Sequence, residues 1–181
     1  MSNYWTQLLP TMPANCSYKI SSYGAVLKGN KQLLHNAFKA RAIRNERRAL
    51  MMAMAMIETN SFLPSQRDPK KDQNVDKSAN ASIFNLNEEF LNKTGYQGNI
   101  HLLDPLTSLP IVVGLIDKGI NMWGVTSMLN FVRGGSTAFA DGVSYDAVGY
   151  RNAVATILML IDKFPSLMYD DRRVDINVKY Q

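Results

Sequence analysis

The chain has 181 residues, 46% of them hydrophobic, which is the size and composition of one domain with a buried core. No apolar run approaches the ~20 residues of a membrane span, and the start, Met1-Ser2-Asn3-Tyr4-Trp5, lacks the basic and then apolar pattern of a signal peptide. The net charge of +5 is modest, and the single cysteine, Cys16, excludes a disulfide framework.

Residues 1–16, with Pro10 and Pro13, read as an irregular tail, and residues 17–181 as the domain. Tyr18-Lys19-Ile20 is a short strand candidate. Lys31 to Phe38 places Leu33, Leu34, Ala37 and Phe38 at helical spacing. The run from Lys39 to Arg48 is the strongest concentration of charge. It has no interleaved aromatic residues for base stacking, so it reads as a solvated helix face or connector and not as a nucleic-acid site. Arg47 to Ile57 is apolar and rich in helix formers, with Met51, Met52, Met54 and Met56 as core-filling side chains.

That helix should end at Glu58-Thr59-Asn60, before Pro64. A carboxyl at the end of a buried helix has lost water and faces the negative pole of the helix. Both effects disfavour its ionised form, so Glu58 is expected to hold a proton near neutral pH and to serve as a general acid. The polar segment from Ser65 to Lys77 follows and carries Asp68, Asp72 and Asp76, which as solvated carboxylates should stay ionised. It reads as a loop or small hairpin. A protonated carboxyl opposite an ionised one is the pairing glycoside hydrolysis requires.

Order resumes at Ser78, and Asn87 to Leu91 reads as a short helix. Thr94 to Asn99 is turn-rich; Leu109 to Ile120 is a helix with Pro110 in its first turn and Gly119 near its end; Asn121 to Phe131 is another helix. Arg133-Gly134-Gly135-Ser136 reads as a glycine turn. Ser144 is the expected N-cap of a helix with the stripe Tyr150, Ala153, Val154, Ile157, Leu158 and Ile161, stopping before Pro165. Asp170-Asp171-Arg172-Arg173 reads as a local ion-pair turn, and Val174, Ile176 and Val178 alternate as in a half-buried strand. The fold class is therefore α+β, mainly helical, in a single domain.

Taken together, Ala53-Met54-Ala55-Met56-Ile57-Glu58-Thr59, Asp72, Ser78-Ala79-Asn80 and Ile83-Phe84 resemble the lysozyme-fold endo-β-1,4-mannanases of glycoside hydrolase family 134. Arg133-Gly134-Gly135-Ser136, Tyr150-Arg151-Asn152-Ala153-Val154 and Asp170-Asp171-Arg172-Arg173 extend the resemblance in the same order, from about Ser17 to the C-terminus. The chain departs from the family pattern at Lys71, Ala81-Ser82, Met128, Val132 and Gly134. The resemblance implies a lysozyme-like domain with a small β-hairpin and an inverting, endo-acting hydrolase of β-1,4-mannan. Glu58 would be its general acid and Asp72 its general base. Asn60, Asn80, Asn87 and Arg133 are the expected sugar contacts, since amides offer hydroxyl groups both a donor and an acceptor. The resemblance also implies a secreted monomer acting on a polysaccharide, with no metal, organic cofactor, nucleic acid or membrane involved. Two alternatives stay open: a lysozyme- or chitosanase-like hydrolase of amino-sugar polymers, and a non-catalytic carbohydrate-binding or effector protein of the same fold. Glu58-Thr59-Asn60-Ser61-Phe62-Leu63-Pro64 is also similar to the Glu-Ser-x-Phe-x-Pro run of lytic transglycosylases.

Overall fold

The computed structural model of the protein describes residues 16–64, 80–139 and 145–178. Of these, 68% are helical, and the only named strands pair as one two-stranded antiparallel sheet, so the mainly helical α+β class holds. The elements in chain order are β1 (Cys16–Ser22), α1 (Ala25–Ala40), α2 (Asn45–Glu58), α3 (Glu88–Lys93), α4 (Leu109–Trp123), α5 (Val125–Phe139), α6 (Tyr145–Lys163) and β2 (Arg172–Val178). Short 3₁₀ turns at Ile100–Leu103, Leu106–Ser108 and Pro165–Met168 connect them.

The core is built on α2. Every residue from Leu50 to Met56 is 0% exposed, so this helix is apolar on all faces because it is enclosed on all faces. It packs against α6 and β2, and the four methionines fill the space between them. Phe38, Phe84, Phe90 and Val113 complete the same cluster. Among the described residues, no helix is long and apolar enough to cross a membrane.

The structure differs from the expectations, or goes beyond them, at three places. First, β1 and β2 come from opposite ends of the domain and pair with each other, with Cys16 opposite Val178 and Ser22 opposite Arg172. Alternation in β2 is visible in the sequence, but a pairing across the whole domain is not. The segment expected to form a hairpin, Ser65 to Lys77, lies outside the described residues, as does Ser144. Secondly, the boundary between the central helices is Gly124, not the junction of Ile120 and Asn121. α4 runs on through Asn121 to Trp123, and Gly124, with φ 82°, accepts the left-handed conformation that ends it. Gly119 lies inside α4, where Phe90 and Met128 pack so close that a Cβ would crowd them. Thirdly, Arg133 and Gly134 belong to α5, and the expected glycine turn is a kink in that helix at Gly135, with φ 69° and ψ −164°.

The basic run forms the connection between α1 and α2. Three of its cations are used internally: Arg41 donates to the Pro110 carbonyl at 2.9 Å, Arg48 to the Ile43 carbonyl at 2.6 Å, and Arg47 to the Asp117 carboxylate at 2.7 Å. Arg172 and Asp170 form the local ion pair expected of the run from Asp170 to Arg173, at 2.9 Å.

Candidate active site

α2 delivers Glu58 as its last residue. The helix stops because Thr59 turns to extended backbone (φ −142°, ψ 147°) while its N–H closes on the Ala55 carbonyl at 3.0 Å. Helix ends leave carbonyls without partners. Here Arg173 of β2 reaches across and donates Nη2 to the Met56 carbonyl. The same guanidinium donates Nη1 to Asn60 Oδ1 at 2.8 Å and to Asp175 Oδ1 at 2.7 Å. Tyr23 lies against it, with its hydroxyl donating to Asp175 Oδ1 at 2.7 Å. Asn30 of α1 donates to the Ser61 carbonyl at 2.8 Å, holding the chain as it leaves the helix.

The Glu58 side chain is only 10% exposed, and groups from three other segments converge on it. Arg133 of α5 donates Nη1 to Oε1 at 3.1 Å, and Asn85 donates Nδ2 to Oε2 at 3.2 Å. Tyr150 of α6 is buried beside both charged groups, with the Arg133 guanidinium 5.8 Å from its ring centre. Burial, and then the negative charge of Glu58, push the Tyr150 phenol well above its usual range, so it remains a neutral hydroxyl. Burial works against the charge on Glu58, whereas the guanidinium and the amide work for it. The expectation from the helix alone counted only the first of these effects, because neither partner is adjacent in sequence.

Asn85 is held by a tight, fully buried turn. Ala81 and Leu86 exchange both backbone hydrogen bonds, at 2.9 and 2.8 Å. Ser82 (φ 69°) and Asn85 (φ 55°) take left-handed backbone between them. Asn tolerates that conformation better than most residues. Asp104 Oδ1 accepts from the Ser82 N–H at 2.9 Å, and Ser82 Oγ accepts from the Phe84 N–H at 3.1 Å, so the turn is pinned from both sides. Phe62, four residues after Glu58, is also left-handed, at φ 61°, and buried. Among the described residues, three of the four non-glycine residues with positive φ thus lie on the two segments that flank this carboxyl. Strained backbone of this kind persists only where the surroundings over-determine it, and it collects at functional sites.

The expected site residues divide into three groups. Glu58 and Arg133, 75 positions apart in sequence, are brought into contact. Asn80 is 6% exposed and its Oδ1 has no hydrogen-bond donor among the described residues. The other two asparagines also serve the fold. Asn87 caps α3, accepting from the Phe90 N–H at 2.7 Å, and its amide donates to the carbonyls of Phe131 and Val132 in α5. Asn60 spends its Oδ1 on Arg173. Asp72, with Asp68, Asp76 and the Ser78-Ala79 part of the motif, lies outside the described residues. Asn85 and Tyr150 were not expected at the site. Tyr150 is legible only as the one polar-tipped member of an otherwise aliphatic stripe, and Asn85 only as an asparagine inside the Ile83-Phe84 motif.

No protein-family model matches the chain, and a search of curated proteins finds none that matches.

Proposed function

We propose that the protein is an endo-acting, inverting glycoside hydrolase of β-1,4-mannan, with Glu58 as general acid and Asp72 as general base. The observation that supports this reading best is the setting of Glu58: a nearly buried carboxyl at the end of the core helix, met by polar groups from α5, α6 and the turn at Ala81–Leu86. Beside it, Asn85 Oδ1 and the Tyr150 hydroxyl are buried without hydrogen-bond partners among the described residues. Buried polar atoms are ordinarily paired. Orphans gathered near one carboxyl suit a site whose partners arrive with a hydroxyl-rich ligand or with water.

In the proposed reaction, Glu58 gives its proton to the glycosidic oxygen as the C–O bond breaks. Asp72 takes a proton from the water that attacks the opposite face of the sugar. Inversion requires the two carboxyls to stand about 6.5–9.5 Å apart, leaving room for that water. The resemblance also implies a secreted monomer acting on a polysaccharide. Product analysis on β-1,4-mannan by proton NMR tests the reading, with α-configured reducing ends appearing first and none formed by Glu58→Gln.

A second reading is favoured by one observation: both oxygens of Glu58 are already engaged by Arg133 and Asn85. A carbohydrate-binding protein of the same architecture, without turnover, would use the pair as scaffold. In that case Glu58→Gln leaves ligand binding unchanged and there is no hydrolysis to lose. Reducing-sugar release from mannan, chitosan and peptidoglycan side by side separates mannan from amino-sugar substrates.

A further inference from the structure

We infer that Asn85 is the positioning residue for the proton on Glu58, and that the proton is carried on Oε2. This rests on the reading of Glu58 as general acid. Oε1 faces the Arg133 guanidinium at 3.1 Å. A guanidinium has only donors and keeps its proton, so a hydrogen on Oε1 would point at another hydrogen. Oε2 faces the Asn85 amide at 3.2 Å. An amide carries a donor and an acceptor of nearly the same shape, and half a turn about its last torsion exchanges them.

The acceptor half of that amide, Asn85 Oδ1, is buried and has no donor among the described residues while Nδ2 serves the carboxylate. With the amide turned, Oδ1 accepts from a protonated Oε2. Asn85 therefore serves both forms of the acid, whereas Arg133 serves only one. The buried turn at Ala81–Leu86, closed by its pair of backbone hydrogen bonds, holds the side chain in reach for both. During the reaction the proton leaves Oε2 for the glycosidic oxygen, the C–O bond breaks, and the amide turns back to donate to the carboxylate. The other charged or titratable groups facing this end of α2 among the described residues are Arg133 from α5, Tyr150 from α6, and Arg173 with Asp175 from β2.

Carbon-13 NMR of labelled carboxyl groups in the whole chain, with Glu58 assigned through Glu58→Gln, tests this without substrate. Asn85→Asp sets a second carboxyl against Oε2, and the upper step of the coupled titration is expected to rise by about one pH unit or more over the wild-type Glu58 midpoint. The amide's bond to the carboxylate is charge-assisted and stronger than its bond to the neutral acid, so Asn85→Gly, which suits the left-handed backbone and keeps the fold while removing the amide, raises the midpoint by about half a unit. The alkaline limb of kcat/KM on mannan should move with the carboxyl in both variants. An unmoved midpoint in the folded variants overturns the inference. A midpoint that moves while the limb stays fixed supports the contact but overturns Glu58 as the acid.

Discussion

At the residue scale, the site is a balance between burial and charge pairing on one carboxyl. Arg133→Met leaves Glu58 in a nearly dry setting without its cation, and urea unfolding at pH 7 should show a loss of about 2 kcal/mol. A loss under about 0.5 kcal/mol would mean that the pair is merely a surface contact. Tyr150→Phe has the opposite character. It removes a hydroxyl that is buried without a hydrogen-bond partner among the described residues, so stability should be unchanged or higher by up to about 1 kcal/mol, read as an unaltered or raised Tm. A clear drop in Tm would show that the hydroxyl is satisfied in solution. Glu58 itself was legible in the sequence, because a long apolar run ending in a single carboxyl places it at the end of a buried helix. Its partners were not. Arg133 sits in a glycine-containing stretch that looks like a turn, and Asn85 looks like any polar residue after Phe84; only the tertiary packing of α5 and the buried turn brings them to the carboxyl.

At the element scale, α2 is held in place at its end by β2. Arg173 ties the Met56 carbonyl, Asn60 and Asp175 together with one planar group. Lysine cannot reproduce that fork, so Arg173→Lys should cost about 2 kcal/mol in urea unfolding despite keeping the charge. The helices themselves were legible from apolar spacing. Their ends were less so, since Gly119, Gly124, Gly134 and Gly135 look alike in sequence, yet only Gly124 and Gly135 take positive φ. The kink at Gly135 has open space around the missing Cβ, so Gly135→Ala should cost about 1 kcal/mol from backbone strain alone. The pairing of β1 with β2 was out of reach because alternation shows that a strand exists but says nothing of its partner.

At the scale of the whole molecule, the two ends of the domain are fastened through α1. The Lys31 ammonium, 0% exposed, donates to the carbonyls of Leu167 and Arg172 at 2.6 and 2.5 Å and lies 3.9 Å from the Asp170 carboxylate. One turn on, His35 Nε2 donates to the Met168 carbonyl at 2.8 Å, with its ring stacked on Tyr169. Burial lowers the Lys31 pKa to about 8, against which Asp170 only partly compensates. Between that value and 10.5 the unfolded chain binds the proton that the folded chain gives up, so stability rises with pH across this window. The gain is at most about 3 kcal/mol. Above pH 10 the sign reverses, because Tyr150 and Tyr23 have raised pKa values and keep protons that the unfolded chain releases. Urea midpoints should therefore peak near pH 10, and Lys31→Met should flatten the rise below it; a midpoint falling steadily from pH 8 would contradict this. The account as a whole stands on a sugar bond being broken by Glu58. Its most direct test is a proton NMR time course of β-1,4-mannan with the intact chain and with Glu58→Gln. The expected result is oligosaccharides whose new reducing ends appear first in the α configuration, and none from Glu58→Gln. New ends appearing in the β configuration, or hydrolysis that persists in Glu58→Gln, would contradict it.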